Sequence, residues 1–182
     1  MPRKASAYSK RKVTPYTRIS KKKGKSYIKT VPPQKIDKFS MGNGDKNKLK
    51  HKLTLVSTEK CQIRDSALEA CRQYINKQIE KKKKLVGSYF FEVVIFPHHI
   101  QRENKMLTGA GADRMQTGMQ LAFGKSSGKS AIVKPGSDIF RLYLETPKAV
   151  SIVRKLLKQV RPKLPCKVKI IEGHEKSKKK KR

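Results

Sequence analysis

The sequence predicts an α+β sandwich, with two helices packed on a mostly antiparallel sheet, and three observations support this. Two stretches, 67–79 and 150–160, repeat apolar residues at helical spacing. Short β-branched and aromatic runs stand before, between and after them. Both kinds of signal lie within 51–173, and the flanking segments are basic and too poor in periodic apolar residues to fold alone. The expected organisation is a basic extended arm over 1–50, a single core domain over 51–173 and a basic tail over 174–182.

Taken in order, 52–57 alternates through Leu53 and Leu55 and is expected to be a strand. Ser66 and Glu69 have capping-box spacing. Behind them Ala67, Leu68, Cys71, Ile75 and Ile79 form the apolar face of a helix, with Arg72, Lys77 and Glu80 on the other side. Its end runs into the lysines of 81–84, where cations suit the helix dipole. The run 89–96 is continuously aromatic and β-branched and closes at Pro97, which predicts a well-buried strand. Residues 131–134 and 139–145 flank Pro135-Gly136 and are expected to pair as a hairpin. Pro147 opens the second helix, whose face is Val150, Val153, Leu156, Leu157 and Val160, and Arg161-Pro162 ends it. Residues 166–171 supply the last strand. Helices on an antiparallel sheet are the economical way to bury these faces.

Charge narrows the function classes. Forty-six Lys and Arg against thirteen Asp and Glu give +33 on 182 residues. A compact domain so charged repels itself, and a polyanion is its natural partner. Nucleic acid fits directly, because each cation set against a phosphate releases condensed counterions. No apolar run approaches the ~20 residues that span a bilayer. The N-terminus has no secretory apolar stretch, so a cytoplasmic protein is expected. Cys61, Cys71 and Cys166 form no CxxC pair and read as plain buried or half-buried thiols.

The arm carries sixteen Lys or Arg against Asp37 and Asp45, broken by Pro15, Pro32 and Pro33. Tyr8, Tyr16, Tyr27 and Phe39 are interleaved with the charges. A solubilising tail has no need of spaced aromatics, whereas rings stack on exposed bases. The arm is therefore expected to order on RNA, with Arg3, Lys4, Tyr8, Arg11, Tyr16, Arg18, Lys21, Lys22 and Lys23 as contacts. Removing 1–38 is expected to leave the core folded.

The segment 101–129 fits no element and contains Gly109, Gly111, Gly118, Gly124 and Gly128. Structureless stretches of this length inside a domain are usually functional. Met115, Met119 and Ala122 have the spacing of a short helical piece, and 108–114 is expected to be an exposed loop. Gly109-Ala-Gly111 opens like a dinucleotide fingerprint, but Arg114 occupies the third glycine's place. Gly124-Lys-Ser-Ser-Gly128-Lys129-Ser130 ends like a P-loop yet is one residue short, and a strand-like run follows where a helix should. Nucleotide chemistry is excluded on that basis. The glycines with Lys125 and Lys129 remain good phosphate ligands, since bare backbone N–H groups approach anions closely. His98 and His99, adjacent on a strand, point to opposite faces and cannot readily share a metal. One is expected to pack and the other to face solvent or RNA. No catalytic set, metal site, cofactor or small-molecule substrate is expected. A DNA-compacting protein would share the charge, but would not need a long glycine loop between core strands.

The stretch from Phe96-Pro-His-His through Asn104-Lys-Met-Leu-Thr-Gly-Ala-Gly-Ala-Asp-Arg-Met-Gln to Phe123-Gly-Lys125 closely resembles the large-subunit ribosomal protein family numbered ten-e in archaea and eukaryotes, the counterpart of bacterial sixteen. Asp65-Ser-Ala-Leu-Glu-Ala-Cys-Arg72, Thr14-Pro-Tyr-Thr-Arg18, Pro33-Gln-Lys-Ile36 and Met41-Gly42 extend the match over nearly the whole chain. The resemblance implies a non-catalytic α+β sandwich seated on large-subunit rRNA beside the central protuberance and the tRNA cleft. Neighbouring ribosomal proteins are its further partners. It implies that a glycine-rich loop, here 107–116, points toward the peptidyl transferase centre and the tRNA acceptor arms. Arg102, Lys105, Arg114 and Lys125 are its basic flanks, and Thr108, Gly109, Gly111 and Gln116 lie within it. Thr30-Val31 before Pro32-Pro33 departs from the Gly-Val or Gly-Ile of many members. A short lysine tail in place of a long extension implies an archaeal-type member.

Overall fold

The computed structural model describes residues 9, 14–82, 86–104 and 122–174. Strands β1 (Ser40–Gly42), β2 (His51–Ser57) and β3 (Cys61–Arg64) lead into helix α1 (Asp65–Lys81). Strands β4 (Tyr89–Val93), β5 (His99–Glu103), β6 (Lys125–Val133) and β7 (Asp138–Leu144) follow, then helix α2 (Pro147–Val160) and strand β8 (Val168–His174). The α+β expectation holds, with two antiparallel sheets in place of one. A five-stranded sheet runs β1-β4-β7-β2-β8 and a three-stranded sheet runs β3-β6-β5. No helix among the described residues is long and apolar enough to cross a membrane.

Both helices bury the faces their spacing predicts. Leu68, Cys71, Ile75 and Ile79 of α1 and Val150, Val153, Leu156, Leu157 and Val160 of α2 join one core with Leu53, Leu55, Phe91, Phe140 and Leu142. Burying a side chain of this size contributes about 1.5–3 kcal/mol. Helix α2 starts as expected, with Pro147 in its first turn and the Thr146 hydroxyl accepting the Ala149 N–H at 3.3 Å. Helix α1 does not use the expected capping box. Strand β3 runs directly into it, so Ser66 is already helical and the N-cap is Arg64, whose side chain makes no capping bond. Glu69 is taken by Arg72 at 2.5 Å, while the buried Asp65 accepts the N–H groups of Ser66 and Lys35.

Three further expectations are corrected. Residues 131–134 and 139–145 do not pair: β6 lies between β3 and β5, and β7 lies between β4 and β2. The Pro135-Gly136 turn instead closes over the end of β2, where the Gly136 N–H donates to the Ser57 carbonyl and the Ser57 N–H to the Ser137 carbonyl. The strand expected over 89–96 stops at Val93 and alternates in burial, because only the face carrying Tyr89, Phe91 and Val93 packs into the core; Val94 and Phe96 are exposed. The ends of the glycine-rich segment are strands, with Gln101 opposite Gly128, Arg102 opposite Ser126 and Glu103 opposite Lys125. A bulge between Gln101 and Arg102, opposite Gly128, hides the alternation that would have revealed them.

Part of the expected arm is built into the fold. Ile36 is fully buried in the core, Ile28 and Leu49 are buried, and β1 pairs with β4. Gly42 permits that pairing at φ 117°, where a Cβ would lie 2.2 Å from the Tyr89 carbonyl oxygen. Within 1–38, Ile28 and Ile36 are thus buried although neither belongs to a periodic apolar run. Residues 1–8, 10–13, 105–121 and 175–182, with the expected helical spacing of Met115 and Met119, lie outside the described residues; Ala122 sits in a turn.

Candidate nucleic-acid interface

The site forms where the N-terminal segment meets the β5–β6 ladder. The Ile100 N–H donates to the Tyr16 carbonyl at 2.8 Å, and the Tyr16 N–H donates to His99 Nδ1 at 2.9 Å. That second bond requires an unprotonated Nδ1. Burial, aided by the nearby positive charge of Arg102, pushes the His99 pKa below its ordinary value and keeps the acceptor available. Tyr16 is thereby fixed beside β5.

Across the ladder, the pairing of Glu103 with Lys125 brings the chain back over Arg102. Gly124 makes the return possible at φ 79°, since a Cβ there would lie 2.7 Å from the Glu103 carbonyl carbon. The ring of Phe123 then meets Tyr16 edge-on, with centroids 5.7 Å apart. The Arg102 guanidinium lies 3.6 Å from the Phe123 centroid and 4.7 Å from that of Tyr16. A planar, weakly hydrated guanidinium suits such stacking better than an ammonium would. On the third side, the Ser126 hydroxyl donates to the Thr30 carbonyl at 3.0 Å, fastening the turn that carries Tyr27, Ile28 and Lys29.

These elements enclose a cleft of about 480 Å³ lined by Tyr16, Tyr27, Lys29, Arg102, Phe123 and Lys125, among others. Among the described residues, none that lines it is acidic. Several carboxylates elsewhere are engaged: Asp138 with Arg141, Glu92 with Lys46, Glu172 with Arg154. Neither Arg102 nor Lys125 has an ion-pair partner among the described residues. Yet Tyr27 is 74% and Phe123 65% exposed, so neither ring is held in place by burial. Cations around exposed rings make a surface for anionic, aromatic ligands, and single-stranded nucleic acid is the polymer that combines both.

Of the residues expected from sequence to bind RNA, Tyr16, Arg102 and Lys125 come together here. Lys129 sits farther along β6, half-buried opposite Ile100. Arg18, Lys21 and Lys22 are exposed on the N-terminal segment but do not line the cleft, and Lys23 begins a 3₁₀ turn, Lys23–Lys25. Arg3, Lys4, Tyr8, Arg11, Lys105, Thr108, Gly109, Gly111, Arg114 and Gln116 lie outside the described residues. Phe123 and Lys29 went unread as site residues, and Tyr27 was read only as one of the spaced aromatics. The signal for Phe123 was a large aromatic beside a glycine and a lysine, at the edge of an otherwise polar segment.

The remaining chemical candidates settle simply. Gly128-Lys129-Ser130 lies inside β6, with no helix behind it to face a phosphate, so the P-loop likeness has no structural basis. His99 is packed and His98 exposed, its ring 4.5 Å from that of Phe96; this is the expected split, but His98 lies before β5, so strand alternation is not its cause. Cys61 and Cys71 are buried and Cys166 half-buried, all as free thiols. Burial pushes the Cys71 thiol up to about 12. A hydrogen bond from Cys61, which is itself pushed up, lowers that of Cys166.

A family profile described as "Ribosomal protein L16p/L10e" matches residues 12–171. The chain belongs to this ribosomal protein family. Curated relatives agree, each bearing the name "Large ribosomal subunit protein uL16". That of Archaeoglobus fulgidus is 40% identical over 177 residues, covering 96% of this chain and 97% of the relative. That of Methanoculleus marisnigri is 43% identical over 150 residues, covering 81% and 85%. That of Hyperthermus butylicus is 39% identical over 190 residues and covers 98% of both. The chain is thus an archaeal-type L16p/L10e protein, a structural class and not an enzyme. The L16p/L10e match spans both walls of the cleft, from Tyr16 to Lys125.

Proposed function

We propose that the chain is a structural constituent of the large ribosomal subunit, held in the cytoplasmic ribosome by rRNA and by neighbouring ribosomal proteins. The cleft around Arg102 is its best-built rRNA contact. The observation that carries this reading is an arginine stacked on two aromatic rings, in a cleft whose described lining holds no acidic residue, on a +33 chain of a ribosomal family. On this reading the chain sits beside the central protuberance and the tRNA cleft. There 107–116 faces the peptidyl transferase centre and the tRNA acceptor arms, with Lys105, Thr108, Gly109, Gly111, Arg114 and Gln116 as contacts. The last described residues on either side of 105–121, Asn104 and Ala122, adjoin Glu103 and Phe123 beside the cleft. Anchoring rRNA at the base of the segment would hold its root steady. Arg3, Lys4, Tyr8, Arg11, Arg18, Lys21, Lys22, Lys23 and Lys129 then supply dispersed phosphate contacts.

Two measurements test this reading. Affinity of the isolated chain for large-subunit rRNA should fall steeply with salt, by roughly 0.7 to 0.9 log units per log unit of salt for each phosphate neutralised. A slope equivalent to one or two phosphates contradicts it. In reconstituted subunits, exchanging 107–116 for a Gly-Ser linker should preserve occupancy and impair peptide synthesis, with Arg114→Ala giving part of the defect. Occupancy collapsing in step with synthesis would make the segment an assembly anchor instead.

A further inference from the structure

We propose that the cleft takes one unstacked RNA nucleotide, with its base laid on the exposed rings of Phe123 and Tyr27 and its phosphate held by Lys125 and Lys29. The inference rests on the rRNA-binding reading and adds the ligand that one part of the surface selects. Arg102 covers one face of Phe123 and Tyr16 packs nearly perpendicular to it, yet the ring stays 65% exposed to solvent. Tyr27 is equally open on the other wall. Apolar rings are kept in water here by a rigid frame: the Tyr16–His99 and Tyr16–Ile100 bonds, the Ser126–Thr30 bond and the glycine turn at 124. A frame that preorganises two rings and then leaves them uncovered lowers the ordering cost of stacking a ligand.

The dimensions and charge select the ligand. A cleft of about 480 Å³ has room for one base and its sugar, and none for a duplex. Lysines stand on both walls, where the phosphates flanking a splayed base would lie. Duplex RNA presents its backbone but not its base faces, so it would engage the lysines and leave the rings unused. Arg102, neutralised by no carboxylate among the described residues, polarises the Phe123 ring from behind and adds attraction for the incoming phosphate.

The test compares three probes of equal phosphate count: a short oligoadenylate, a duplex of half its length, and an abasic strand of its full length. The intact chain should bind oligoadenylate roughly tenfold more tightly than the abasic strand, the scale of one base stacked on an aromatic ring. The Phe123→Ala, Tyr27→Ala double variant should lose that preference with its salt slope unchanged, and Phe123→Trp should restore it on the Tyr27→Ala background. Lys125→Gln should weaken all three probes together and lower the slope by about 0.7 on single strands. Because both rings are exposed, circular dichroism should show the variants folded. A base preference that survives the double variant, or is absent in the unaltered chain while the abasic strand still binds, overturns the proposal. Failure of the unaltered chain to bind large-subunit rRNA would instead sink the broader reading on which it rests.

Discussion

Phe91 and Phe140 meet edge-on with ring centroids 5.7 Å apart, and Tyr16 and Phe123 meet edge-on at the same 5.7 Å. The first pair is fully buried between the five-stranded sheet and the helices, while Phe123 is 65% exposed under an arginine. Rings at the same spacing therefore serve opposite ends. In the core, stacking follows from burial, and the rings stabilise the fold. At the cleft, stacking persists without burial because hydrogen bonds and a glycine turn hold the backbone, and the rings remain available to a partner. The three-stranded sheet carries this second kind of surface and the five-stranded sheet the first.

That contrast breaks most visibly under truncation. Phe140→Ala should cost about 3–5 kcal/mol of stability, while Phe123→Ala should stay within about 0.5 kcal/mol, both read from denaturant midpoints. Comparable losses would show that the cleft rings belong to the core after all. Next in size is Ile36→Ala, which should cost about 2–5 kcal/mol although it lies in the basic N-terminal quarter of the chain. An unchanged midpoint would restore the view of that whole segment as a detachable arm.

The basic segment also shows where sequence reading stopped. The two helices were legible because their apolar faces repeat every three or four residues, and side chains from Leu68 to Ile79 and from Val150 to Val160 are buried accordingly. Ile28, Ile36 and Leu49 have no such rhythm: each is a single apolar residue on irregular chain, buried by tertiary context alone. The Pro135-Gly136 turn was a correct local signal with the wrong consequence. A turn says that the chain bends, and strand partners are chosen by the faces to be covered; β6 and β7 turn into different sheets. At the cleft, Tyr16, Arg102 and Lys125 were legible as residue types suited to RNA. Their convergence depends on the β5–β6 register and on Gly124, which no short motif encodes.

Smaller effects sharpen the picture at the seam between the two regions. The folded-state pKa of His99 is depressed, so the folded protein binds fewer protons there than the unfolded chain. Its contribution to stability is present above about pH 6.5, the unfolded value, and is lost as pH falls below it. The unfolding midpoint should therefore drop between pH 7 and pH 5, and His99→Gln should flatten that dependence. A dependence unchanged in the variant would assign the titration elsewhere. Smallest of all, Cys166 should be alkylated at pH values where an ordinary thiol is slow, while buried Cys71 stays inert until the protein unfolds. Mass spectrometry of iodoacetamide-treated protein separates the two, and equal labelling would contradict it.

The central claim is that the surface around Arg102 faces rRNA while the five-stranded sheet and its helices serve the fold. Zero-length ultraviolet crosslinking of the chain in assembled large subunits, read out by mass spectrometry of nucleotide-bearing peptides, tests it most directly. Adducts should fall on peptides containing Tyr16, Tyr27 and Phe123. Adducts confined to the exposed face of α2 and to β8, with none at these three rings, would contradict it.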